Sequence, residues 1–183
     1  LPFLVLATQN PLEMDGTYPL PEAQLDRFFL KLQVTYPSFE DLSEIVDRTT
    51  QRQERLLEPI LQEAKILEAQ QFVRDVPIAS HVKNYAIRLV MATHPQTQAA
   101  SEQVKRYVRY GSSPRGVQSL VLAGKVRALF QERFHVSIED LRAVALSCLR
   151  HRLILNFEGE SEGVDSADLI RDILEHLPEQ ATR

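Results

Sequence analysis

Cysteine is almost absent from this chain. The one residue, Cys148, excludes an internal disulfide and fits a reducing compartment such as the cytoplasm. Long apolar runs are missing too: no stretch approaches the roughly 20 residues that a membrane-spanning helix needs. Metal-ligand spacing is lacking, since His81, His94, His135, His151 and His176 are scattered with no histidine partner at i+4. Nor is there an excess of positive charge. Lys and Arg number 21 against 25 Asp and Glu, a net charge of −4, which argues against general nucleic-acid binding. What is there is an ordinary globular mixture, 44% hydrophobic and 25% charged over 183 residues, enough to bury the core of one domain or two small ones. The opening run Leu1–Ala7 has no positive residues ahead of it. It reads as a buried strand exposed by truncation, not as a signal peptide.

Along the chain, that continuous apolar run is the pattern of a strand covered on both faces of a parallel sheet. Thr8-Gln9-Asn10-Pro11 ends it, and a loop rich in turn formers follows to Pro21. Pro21 can open a short helix through Arg27. Phe28–Thr35 alternates partly and predicts a second strand, broken by Tyr36-Pro37-Ser38. Beyond Ser38 the patterning is helical. Helices are expected over 38–49 (capped by Ser38), 58–71, 79–94, 114–133 (capped by Ser113), from Ser137, and from Asp165 or Ser166 to Leu174. Ile60, Leu61, Ala64 and Leu67 should share one face of the second. The helix after Pro114 is the most apolar, with Val117, Leu120, Val121, Val126, Leu129 and Phe130, and belongs at the centre of a bundle. Ser137 has Asp140 three residues on, a capping-box-like pair.

Arg115 is the residue that asks for an explanation. Ser113-Pro114 reads as an N-cap and first helical residue, so Arg115 falls in the first turn, where a cation meets the positive end of the helix dipole at a cost of up to about 1 kcal/mol. An anion between the guanidinium and the free backbone N–H groups removes the mismatch. That anion is either a phosphate or a nearby carboxylate.

Two segments resemble one known family. Ala7-Thr8-Gln9-Asn10-Pro11, followed by Gly16-Thr17-Tyr18-Pro19-Leu20-Pro21-Glu22-Ala23-Gln24-Leu25-Asp26-Arg27-Phe28, closely resembles the second half of the ATPase core of MoxR-type AAA+ proteins. Gly111-Ser112-Ser113-Pro114-Arg115 is similar to that family's sensor 2 motif, with Ser112 and Gly116 standing where mostly alanine is expected. The stretch Leu149–Phe157 resembles its lid. The resemblance runs along essentially the whole chain. It implies a mostly α fold: a remnant of an α/β P-loop NTPase core (two strands and a short helix) over residues 1–37, then a helical-bundle lid over 38–183. It implies that Asn10 is sensor 1, placing the attacking water. It makes Arg27 the arginine finger, acting on the neighbouring subunit's nucleotide. And it makes Arg115 sensor 2, reaching the ATP phosphates of its own subunit. A finger of this kind is worth about 10³–10⁵ in rate in other phosphoryl-transfer enzymes. Read without the resemblance, Asn10 is an Asn-Pro turn, and Arg27 is a solvated arginine paired with Asp26 or Glu22. Asp26 reads as a non-catalytic residue that orients Arg27 or caps backbone. Arg150 and Arg152 read as structural cations near a helix C-terminus, and Cys148 as inert core.

The family also needs a Gly-x-x-x-x-Gly-Lys-Ser/Thr loop and an Asp-Glu pair. Neither is in the sequence. The nearest approach, Gly124-Lys125-Val126, has Ser119 in place of the first glycine and no hydroxyl after the lysine. The expectation is therefore a C-terminal piece that alone neither binds ATP tightly nor hydrolyses it, from a parent that uses ATP and Mg²⁺. The resemblance further implies a ring, expected to be a hexamer. It implies chaperone-like remodelling or metal-cofactor assembly of partner proteins, often with von Willebrand factor A domain proteins, in the cytoplasm. Two competing readings are a non-enzymatic helical adaptor and a DNA-binding helical module. The acidic balance weighs against the latter.

Overall fold

Six polar residues begin helices with their own side chains, and they set the frame of the molecule. The computed structural model describes residues 3–9, 20–50 and 58–179. Ser38 and Asp41 exchange backbone and side-chain hydrogen bonds at the start of α2 (Phe39–Thr50). Ser101 accepts from the Val104 N–H at the start of α5 (Glu102–Tyr107), and Ser113 from that of Arg115 at α6 (Pro114–Phe130). Ser137 and Asp140 form a complete capping box on α7 (Ile138–Leu149). Asn156 caps α8 (Phe157–Ser161) and Asp165 caps α9 (Ser166–His176). The remaining helices are α1 (Glu22–Leu25), α3 (Glu63–Asp75) and α4 (Ser80–Met91). Each side-chain cap satisfies a backbone N–H that the helix leaves unpaired.

Helix α6 is central as the sequence predicts, packing against α7, α4 and α3, with α9 laid on α7 and α5. Tyr85, Leu89, Leu120, Leu141, Leu149, Leu169 and Ile170 make the fully buried core. Phe130, expected inward, is 86% exposed, because it stands on the last residue of α6 where the helix has passed its neighbours. Two short strands close the bundle: β1 (Val108–Tyr110) pairs antiparallel with β2 (Ile154–Leu155), Val108 facing Leu155.

The mostly α class stands, but strands lie elsewhere than expected. Residues 3–9 and 28–38 carry no strand. Leu4, Leu6, Leu32 and Val34 are exposed. A run patterned for a sheet interior forms a strand only when neighbours complete its ladder. The second helix starts at Glu63, so Ile60 and Leu61 lie outside it, exposed, and it runs on to Asp75. The approach to Ser113 is ordered as α5 and β1. Helix α2 has its expected apolar stripe, yet Ile45 and Val46 are about half exposed and it buries no residue. No helix among the described residues is long and apolar enough to cross a membrane.

Candidate functional site

The N-terminus of α6 is fixed by the end of α4. Thr93 accepts the Ser112 N–H at 2.9 Å, and His94 Nε2 donates to the Ser112 carbonyl at 3.0 Å. A Cβ on Gly111 would lie 2.6 Å from the Thr93 carbonyl oxygen, so only glycine allows this approach. The turn delivers Ser113 to its cap position and Arg115 to the first turn of α6.

The anion that Arg115 calls for is Asp26. Arg115 Nη1 donates to Asp26 Oδ2 at 2.8 Å, and Ser113 Oγ donates to the same carboxylate at 2.7 and 2.9 Å. Arg152 approaches from the other side, Nε to Oδ1 at 3.2 Å. Burial pushes the Asp26 carboxyl up. The hydrogen bonds from Arg115 and Ser113 and the two guanidinium charges outweigh it, and the net shift is downward. Two guanidiniums thus share one carboxylate, and the junction keeps an uncompensated positive charge. The two arginines are unequal: the Arg115 side chain is 52% exposed, that of Arg152 only 1%. An exposed ion pair of the first kind is worth about 0–1 kcal/mol and is readily exchanged for a better anion.

Arg27, next to Asp26, is exposed, and its side chain makes no hydrogen bond or ion pair with any described residue. It is not paired with Asp26 or Glu22, because Asp26 is taken up by the lid. Asn10 lies outside the described residues. The structure therefore brings Asp26, Ser113, Arg115 and Arg152 together and leaves Arg27 facing solvent beside them. Sequence reasoning missed the Asp26–Arg152 link. A signal was present: residue 152 continues the apolar stripe of Leu141, Ala145, Cys148 and Leu149, and an arginine on a buried stripe requires a partner. Cys148 is fully buried, its thiol pushed up to about 12 by burial, which fits an inert core residue. The residues present suit the phosphate end of a nucleotide. Among the described residues no group of His, Cys, Asp or Glu is arranged to hold Mg²⁺ or another metal.

Comparisons with known proteins show the family. The family model described as "AAA lid domain" matches residues 100–173, which contain α5 to α8, most of α9, and Arg115. The model for the "ATPase family associated with various cellular activities (AAA)" matches residues 1–30, which contain Asp26 and Arg27. Chaperone MoxR1 of Mycobacterium tuberculosis is 36% identical over 176 residues, covering 95% of this chain and 46% of that protein. YeaC of Bacillus subtilis, a protein of uncharacterised function, is 37% identical over 176 residues, covering 94% of the chain and 52% of that protein. A crystal structure from Cytophaga hutchinsonii, assigned as an ATPase, superposes with a TM-score of 0.89 at 39% identity, covering 97% of this chain and 54% of that one. The class is thus an AAA+ ATPase-core segment joined to an AAA lid. The chain belongs to the MoxR-type AAA+ ATPase family, and spans about half the length of the curated relatives it matches.

Proposed function

We propose that this chain is the end of the core (residues 1–37) and the lid (38–183) of a MoxR-type ATPase, completed by a phosphate-binding loop and an Asp-Glu pair that it does not itself contain. In this reading Arg115 is sensor 2. It rests on Asp26 and exchanges that carboxylate for the nucleotide's terminal phosphate, whose larger negative charge and bidentate geometry favour it. Arg27 is the finger, presented outward to the nucleotide of an adjacent subunit in a ring, expected to be a hexamer. Asn10 is sensor 1. ATP and Mg²⁺ are held chiefly by the missing half of the core. The observation that carries the reading is the convergence of Arg115 and Arg152 on a single carboxylate, beside an Arg27 whose side chain has no partner among the described residues.

The parent protein is a cytoplasmic, chaperone-like remodeller, and its clients are partner complexes that need assembly or a cofactor inserted. Von Willebrand factor A domain proteins are the expected companions. In the protein with a complete core, Arg27→Ala is expected to abolish turnover while ATP binding stays largely intact, as measured by steady-state hydrolysis alongside nucleotide titration. Unchanged hydrolysis would reject the finger assignment.

A further inference from the structure

We propose that Arg152 is the positioning residue of Arg27: its guanidinium fastens the segment carrying the finger to the end of α7. This rests on Arg27 being the finger. An arginine side chain has five N–H donors, and Arg152 places all of them. Nε donates to Asp26 Oδ1 at 3.2 Å. Nη2 donates to the carbonyls of Asp26 at 3.1 Å and Phe28 at 2.8 Å. Nη1 donates to the Phe29 carbonyl at 3.4 Å and to that of Cys148, in the last turn of α7. Four of the five acceptors therefore belong to the residues that flank Arg27, and the fifth belongs to α7. The Phe28 carbonyl receives a second bond, from His151 Nε2 at 3.0 Å.

The tether continues beyond the finger. Lys31 donates its backbone N–H to the Ser147 carbonyl at 2.9 Å, and Arg150 Nη1 donates to Gln33 Oε1 at 3.1 Å. Among the described residues, every non-local hydrogen bond made by residues 20–36 ends on Ser113, Arg115 or residues 147–152 of the lid. Helix α1 itself buries nothing. The described hydrogen bonds on either side of Arg27 thus run to the bundle that also carries Arg115.

The test uses the complete ATPase ring. Arg152→Lys keeps the charge but offers three donors from a point, so the finger segment loses its carbonyl bonds. Turnover is expected to fall about 10²-fold, as for a displaced catalytic group, with ATP affinity within about twofold of the parent. The defect must lie in trans. Mixing Arg152→Lys subunits with subunits whose phosphate-loop lysine is replaced restores hydrolysis, because an intact finger then faces an intact pocket. Absence of restoration, or loss of ATP affinity in step with turnover, overturns the proposal. Arg27→Ala subunits mixed in the same way report on the finger assignment separately. Should Arg152→Lys not fold, spin labels at Gln24→Cys and Gln118→Cys on the otherwise unaltered protein decide. Their separation is expected to be the same with ADP and with a non-hydrolysable ATP analogue, and a change of several ångströms between the two refutes it.

Discussion

Ser112 and Gly116 each replace the alanine expected at their positions, and the two departures answer one another. A Cβ on Gly116 would lie 2.1 Å from Ser112 Oγ and 3.0 Å from Leu149 Cδ2. One hydroxyl has been added and one methyl removed in the same small space. Gly116→Ala is therefore expected to destabilise the chain by about 1–3 kcal/mol through overpacking. Combined with Ser112→Ala the loss should largely vanish, since alanine regains the helix propensity, about 0.5–1 kcal/mol, that glycine forfeits. Denaturant midpoints for the four members of this cycle measure the coupling, and additive losses would show the sites independent. Neither residue's meaning was legible alone, because the clash is between atoms and not between residue types. Arg115 was legible as a cation in need of an anion. Which anion was not, since Asp26 is 89 positions away.

Helix starts were the most readable elements. Ser38, Ser113 and Ser137 were identified from local chemistry and cap as expected, and of the two candidates Asp165 and Ser166 it is Asp165 that caps. Strands were not readable, because ladder partners are a tertiary fact. The alternating stretch from Phe28 gives its backbone to lid side chains instead of a sheet. Two predictions belong at this scale. Asp140 is 1% exposed and serves both the α7 cap and a two-bond pair with Arg133 at 2.6 and 3.0 Å. Asp140→Ala should cost about 2–4 kcal/mol, read from denaturant unfolding. The other concerns the turn after α7. His151 is nearly buried, and burial chiefly lowers its pKa, with the charges of Arg152 and Lys31 acting in the same direction. Its Nε2 must carry the proton given to Phe28, and Nδ1 faces no partner. The unfolded chain binds this proton more readily. The contribution is therefore full above the unfolded value of about 6.5 and is lost as pH falls from there through the lowered folded value. Thermal stability should fall as pH drops from about 7 to 5, and His151→Gln should flatten that slope. Exposed His176, raised by Asp172, titrates with the opposite sign and is unchanged by the substitution.

For the molecule as a whole, the well-packed part is the bundle from α4 to α9, while residues 3–9, the segment to Tyr36, and α2 show large apolar side chains to solvent. Phe3, Leu6, Val34 and Phe39 are all more than 80% exposed. Large apolar side chains left this exposed call for a covering, and in the reading offered above the covering is the rest of an ATPase core. The 183-residue chain should accordingly show no sub-micromolar affinity for Mg·ATP by calorimetry. Tight binding would mean that the cations of α6 and the Asp26 junction suffice without a phosphate loop. The resemblance across Gly16–Phe28 and Gly111–Arg115 made the family legible before any coordinates. The lid's hold on the segment around Arg27 was invisible, because it runs through carbonyl oxygens, which every sequence has.

A guanidinium with no spare proton cannot taste a ligand. With each of its donors committed to backbone or to Asp26, Arg152 is deaf to chemistry and can pass on only geometry. A molecule that competes for Arg115 therefore leaves the grip of Arg152 on Asp26, Phe28 and Phe29 in place.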